Sequence, residues 1–392
     1  MRNLSIIILV CVFLGALSWY LLLPVEVRTV SIVSSLPHNV HRSAGQLKGL
    51  RLALKEVGNK VGDLNVVLLD WDDGEGDTWS ATKETENAKN AAKRQDVVAY
   101  YGPFNSGAAK VSLPILNRAH LLQVSGTVTW PGLTKPGFAV GEPAKFYPTG
   151  NRHFFRLTPT DAIQGPSAAL FLRGLKKQTV VVLSDEGVFG AGAAKLFSTR
   201  ARDIGMNVLF QDVIHSETVS KDLVTKIITE DPDAVYVGSD DNKGLQQVYL
   251  ELRKGGYKGV FIGAEFKGAD FEKVILPNDN SVYTTAPGVA ARDQKNIQAL
   301  HFLQEYMRVY NEEPDAYAGF AYEAMRMILD SIRTSDGSRA GVLSAFRNIK
   351  DFDTIFGLAN FDSRGDIENN MTSVFHFNKN TWDFMRVIEN NL

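Results

Sequence analysis

The chain has 392 residues, 44% of them hydrophobic and 22% charged, and a formal net charge of −2. This is an ordinary globular composition with room for two domains, and its scattered lysines and arginines leave no electrostatic footprint for a nucleic-acid partner. The single cysteine, Cys11, lies in an N-terminal apolar run, so the rest of the chain holds neither a disulfide nor a thiolate metal site.

Residues 1–25 read as a targeting segment. Arg2 precedes an uncharged run over residues 4–23, and Ala16-Leu17-Ser18 offers the small residues of a cleavage site. The apolar run nevertheless continues to Leu23, about the length that spans a bilayer, so a cleaved signal peptide and an uncleaved membrane anchor both fit. Val10 before Cys11 is a poor lipoprotein site. Either way the remainder is expected to be periplasmic or otherwise extracytoplasmic.

From Arg28 the pattern alternates between strand and helix. Thr29–Ser34 and Leu64–Leu69 read as strands, and Ser43–Val57 and Trp79–Arg94 as helices. Between them Asp70–Asp77 is acidic, but Gly74 and Ala81 stand where a calcium loop needs other residues, so a solvated loop is expected. Val97–Tyr101 is a third strand, closed by Gly102-Pro103, with Asn105-Ser106-Gly107 at the start of a helix predicted from Ala108. A helix start carries unpaired N–H groups and suits a carboxylate, although Asn105 or Ser106 could instead act as its cap. The fourth strand, Leu121–Ser125, opens into Gly126-Thr127-Val128-Thr129, a second hydroxyl-bearing loop. In a parallel α/β sheet both loops follow strand C-termini, where ligands of such folds sit.

A proline- and glycine-containing connection, Pro131–Arg156, is long enough to signal function or a domain crossing. Asp161 and Gln164 are spaced as a capping pair. A second series follows, with strands Thr179–Ser184, Asn207–Ile214, Ala234–Gly238 and Gly259–Gly263, and helices near Gly190–Ile204, Lys221–Thr229 and Asn242–Lys254. After Val282–Val289 come three helical patterns, Gln294–Tyr310, Tyr317–Thr334 and Ala340–Ile349, placed late enough to return to the first lobe. Asp362–Asp366 is a turn before two short strands, Ser373–Asn378 and Phe384–Ile388. The predicted class is α/β, with two doubly wound parallel-sheet lobes.

Gly190-Ala-Gly192 with Asp212 some twenty residues on suggests a dinucleotide fingerprint. Residues 185–189 separate these glycines from the strand, however, and no third glycine follows at the required position. No Ser-His-Asp, HExxH or P-loop pattern is present, and His38, His41 and His153 read as loop or surface residues.

In their order and spacing, Asp72-Asp73, Gly102–Ser106, Val124–Thr134, Asp161–Pro166, Asp185–Gly192, Ile262–Glu265 and Gly357–Asp366 resemble the type I periplasmic binding proteins. Within them the chain is most similar to the branched-chain amino-acid (Leu/Ile/Val) receptors of ABC transporters. The resemblance covers nearly everything after residue 28. It implies two lobes joined by three crossings, residues 28–156 with 285–355 and residues 157–284 with 356–392, closing on a ligand. It further implies that Ser106 and the helix-start amides beside Asn105 take an α-carboxylate, and that Thr127 through its carbonyl, Thr129 and Glu265 take an α-ammonium. The side-chain pocket departs from the pattern: Arg42 and Asp240 stand where relatives often carry aromatic residues, and Phe189 replaces a tyrosine. Leucine, isoleucine and valine are therefore not the expected ligands.

The function expected is that of a monomeric, non-catalytic receptor, without cofactor or metal, that delivers a small polar, amino-acid-like ligand to an ABC permease. The alternatives are a membrane-anchored sensor signalling to a partner receptor and a dinucleotide-dependent enzyme.

Overall fold

The computed structural model describes residues 28–389 except 77, 216–218, 240–241, 267–269 and 369–370. The N-terminal apolar segment and Asp240 therefore lie outside the described residues. Among those described, no helix is long and apolar enough to cross a membrane.

Two sheets organise the chain. The first runs in the order Lys60–Val61, Leu64–Asp72, Thr29–Leu36, Val97–Tyr101, Leu122–Ser125, Phe154–Arg156, and is parallel except for its short first strand. Val97–Tyr101 is buried at every position, as a parallel strand covered on both faces must be. One face is packed by His41–Glu56 and by Ile297–Tyr310, Ala318–Arg333 and Arg339–Arg347, through Leu50, Phe302, Met325 and Phe346. The late helices do return to the first lobe. The other face is covered by Ala81–Lys93 and Ser106–Arg118 through Ala88, Ala91 and Leu116.

The second sheet runs in the order Asn207–Val213, Thr179–Ser184, Ala234–Gly238, Val260–Ala264, Val282–Pro287, Met371–Asn378, Thr381–Glu389. Its first five strands are parallel, and the last two are antiparallel. Phe171 and Phe197 from Asp161–Gly174 and Val188–Asp203 fill one face, and Ile227, Tyr249 and Leu252 from Lys221–Glu230 and Asn242–Lys254 fill the other. The chain passes between the lobes after Arg156, after Pro287 and before Met371. A hairpin of Phe352–Thr354 with Gly357–Ala359, not expected from sequence, packs Phe356 and Ala359 on the first core.

Several local expectations change. The acidic stretch after Leu69 is not a solvated loop: the strand continues to Asp72, Gly74–Glu75 pairs with Thr78–Trp79, and Asp73 is fully buried. His153 is a core residue, 1% exposed, whose Nδ1 lies 2.8 Å from Asn117 Nδ2. Asp161 and Gln164 form no capping pair. Asp161 is the first residue of its helix, and Gln164 Nε2 instead donates to the Thr285 carbonyl at 3.1 Å, tying helix to sheet.

Candidate functional site

The facing loops follow strand C-termini in both lobes. Val97–Tyr101 is followed by Phe104, Asn105 and Ser106, Leu122–Ser125 by Thr127 and Thr129, and Val260–Ala264 by Glu265. With Arg42, Phe189 and Ser239 these residues line one narrow crevice. Seven of the eight residues singled out from sequence thus meet at one place, Asp240 being the eighth. Its neighbour Ser239 and the ring of Phe104 also line the crevice. Their position at strand C-termini is the signal that would have found them.

Gly102 makes the first loop possible. Its φ of +118° lies in the left-handed region, and a Cβ there would come within 2.4 Å of the Ser35 carbonyl oxygen. The following helix begins at Ser106, two residues before the predicted start, and Asn105 at its N-cap makes no side-chain capping bond. Ser106 does not cap it either. Its Oγ accepts from the Thr129 and Trp130 N–H groups at 3.3 and 3.2 Å, so its proton remains to be donated. Thr127 donates to the Phe104 carbonyl at 2.9 Å, fastening one hydroxyl loop to the other. Thr129, 1% exposed, has an Oγ1 outside strict hydrogen-bond geometry with any group among the described residues, and it lies beside Asp161. Burial pushes the Asp161 carboxyl up to about 7, with the Thr129 hydroxyl opposing that rise.

Arg42, in the first turn of His41–Glu56, is buried (8% exposed). Its guanidinium carbon lies 5.6 Å from the centroids of both the Phe104 and Tyr317 rings. From Nη1 it reaches Glu265 Oε2 and the Glu265 carbonyl, each at 3.5 Å. The Tyr317 hydroxyl donates to the same carboxylate oxygen. Glu265 itself sits at φ +64°, a conformation that is uncommon away from glycine. Its N–H on Thr285 O at 2.7 Å and the Phe266 N–H on Thr284 Oγ1 at 2.8 Å hold it there. Strain of this kind is retained where it aims a side chain. Asp315, behind Arg42, accepts from the Tyr317 and Ala318 N–H groups at 2.8 and 2.9 Å, at a helix start that favours its charge.

A deeper network that sequence reasoning missed holds the second hydroxyl loop. Arg156, wholly buried, pairs through Nε with Asp366 Oδ1 at 2.8 Å and donates to the Trp130 carbonyl at 2.8 Å and Thr134 Oγ1 at 2.6 Å. Beyond it Trp130 donates to Glu142 at 2.7 Å and packs on Gly192 of the other lobe, where a Cβ would lie 2.5 Å from its ring. A Cβ on Gly190 would lie 2.1 Å from Asp185 Oδ1. The spaces beside these glycines are thus filled by the protein's own groups, which removes the reason for reading a pyrophosphate cradle there.

Two α/β lobes meeting at a polar crevice built from strand-end loops have the architecture of the periplasmic binding proteins. A family model described as periplasmic binding protein matches residues 41–380, and the chain belongs to that family. The Leu/Ile/Val-binding protein homolog 3 of Brucella melitensis is 23% identical over 368 residues, covering 92% of each chain. A leucine-binding protein of Thermotoga maritima superposes with a TM-score of 0.79 at 22% identity, over 92% of this chain and 99% of that one. A solute-binding protein from R. palustris in complex with benzoate gives 0.74 at 14% identity, over 92% and 96%.

Proposed function

We propose that the chain is a non-catalytic extracytoplasmic receptor that captures a small carboxylate-bearing solute between its lobes and delivers it to an ABC permease. The observation that carries this reading is the anchor in the first lobe. A helix start without a side-chain cap adjoins the Ser106 hydroxyl, whose proton is available, and the buried Thr129 hydroxyl. Helix-start amides favour an anion, and hydroxyl donors add direction. Leucine and benzoate, named for two of the similar structures, share a carboxylate and little else. The lobes would shut on the solute by hinge motion, and the shut form would dock on the permease.

Thermal-shift screening with small carboxylates identifies a ligand, because binding the folded state raises its stability by mass action. Removing the anchor hydroxyls in Ser106→Ala and Thr129→Val should then cost roughly 1.5–3 kcal/mol each, about tenfold or more in affinity. Unchanged affinity in both variants would refute the anchor.

A further inference from the structure

Resting on that reading, we infer that Arg42 is a built-in substitute for a ligand ammonium, so that the receptor selects carboxylates lacking an α-amino group. Arg42 and Glu265 are the charged side chains among the described residues lining the crevice, and they face each other from opposite lobes. Glu265 is the carboxylate that the resemblance assigns to an amino acid's ammonium. Here that oxygen already has the guanidinium of Arg42 and the hydroxyl of Tyr317 upon it.

Arg42 is held in place by more than this pair. Its guanidinium lies over two rings that are themselves locked edge to face, with centroids 5.9 Å apart. The helix carrying it cannot readily recede, since a Cβ on Gly45 would fall 1.9 Å from Asp315 Oδ2 and one on Gly49 2.2 Å from the Ala318 carbonyl. Asp315, the other nearby acid, accepts from N–H groups at the start of the helix Ala318–Arg333 and lies in the field of Arg42, which together only partly offset its burial.

The charges then decide the ligand. A carboxylate docking at Ser106 meets donors and needs no acid. An α-ammonium beside it competes with Arg42 and Tyr317 for Glu265, and the further it displaces Arg42 the more it leaves a buried guanidinium without that carboxylate. A hydroxyl, a hydrogen or an aryl carbon at that position carries no such penalty. Arg42 also retains donors beyond Nη1, suited to an oxygen elsewhere on the solute.

The test is calorimetry on the whole secreted receptor with matched pairs: alanine and lactate, leucine and 2-hydroxy-4-methylpentanoate, phenylalanine and 3-phenyllactate, with benzoate added. The amine-free member of the best-bound pair should win by at least tenfold. Arg42→Gln, which leaves Glu265 to meet an ammonium, should reverse that order. Glu265→Gln frees the guanidinium and should tighten the amine-free acids, whereas an ammonium-binding Glu265 predicts weaker amino-acid binding in the same variant. Tighter binding of the amino acid by the wild type overturns the inference and leaves the carboxylate receptor standing. An order that Arg42→Gln does not change also overturns it, and if that variant fails to fold, weakened acid binding in Glu265→Gln does so. A wild type that binds no member of either set overturns the receptor reading and this inference together.

Discussion

Replacing Glu84 by Gln should make the protein more stable at neutral pH and flatten its pH dependence. Glu84 is fully buried in the first turn of Ala81–Lys93, and its Oε2 accepts from Ser35 Oγ at 2.6 Å and the Tyr100 hydroxyl at 3.0 Å. Burial first, and then the charge of Asp73, push its carboxyl up to about 8 from an ordinary 4.5. Asp73 is raised to about 7 by burial and by Asp72. Between roughly pH 5 and 7 the folded chain therefore keeps a proton on Glu84 that the unfolded chain releases. The stability associated with that proton is complete below the unfolded value and is lost as pH rises through the folded one. The slope is about 1.4 kcal/mol per pH unit for one proton, or about 2–3 kcal/mol between pH 5 and 7. Glutamine keeps the oxygen that accepts from Ser35 and Tyr100 and removes the ionisation. Asp161, Asp315 and Glu323 are also raised by burial and tilt the whole curve the same way, so the informative quantity is variant minus wild type. Urea unfolding at pH 5, 6, 7 and 8 should give a difference near zero at pH 5 that grows with pH. Parallel profiles for the two proteins would refute the reasoning.

Two further outcomes follow from the loop supports. Arg156→Met removes the guanidinium from Asp366 and from the Trp130 carbonyl, and should cost about 3–5 kcal/mol in urea unfolding because a buried carboxylate loses its strongest partner. A loss below about 1 kcal/mol would mean that Lys135, 3.2 Å from Asp366, suffices alone. Gly192→Val places bulk against the Trp130 ring across the lobe contact and should enlarge the ligand-free radius of gyration in small-angle scattering. An unchanged radius would mean that Trp130 yields without moving the lobes.

The parts of the site that were legible in the sequence are those fixed by short stretches of chain. A buried strand, a glycine turn and a helix start occupy Val97–Ser106 consecutively, and a second strand puts Thr127 and Thr129 beside them. Phe189 and Glu265 are reached through the family resemblance, and both prove to follow strands of the second lobe, Thr179–Ser184 and Val260–Ala264. What escaped notice depends on partners far apart in sequence. Asp366 lies 210 residues from Arg156, and neither residue has a local pattern that distinguishes a buried pair from two surface charges. Glu84 misleads for a related reason. In a helix bearing Lys83, Glu86 and Lys89 it reads as one more solvent-facing charge, and only the arrival of Ser35 and Tyr100 from two neighbouring strands makes it interior. The antiparallel direction of Met371–Asn378 and Thr381–Glu389 is likewise a property of the sheet edge they join. Arg42 stands between these cases. Its position was visible by resemblance, yet its burial, its two rings and its pairing with Glu265 come from three separate stretches of chain. The proposed anchor for a carboxylate is thus written locally, whereas the inferred choice among carboxylates rests on a charge balance between Arg42 and Glu265 that exists only once both lobes are in place.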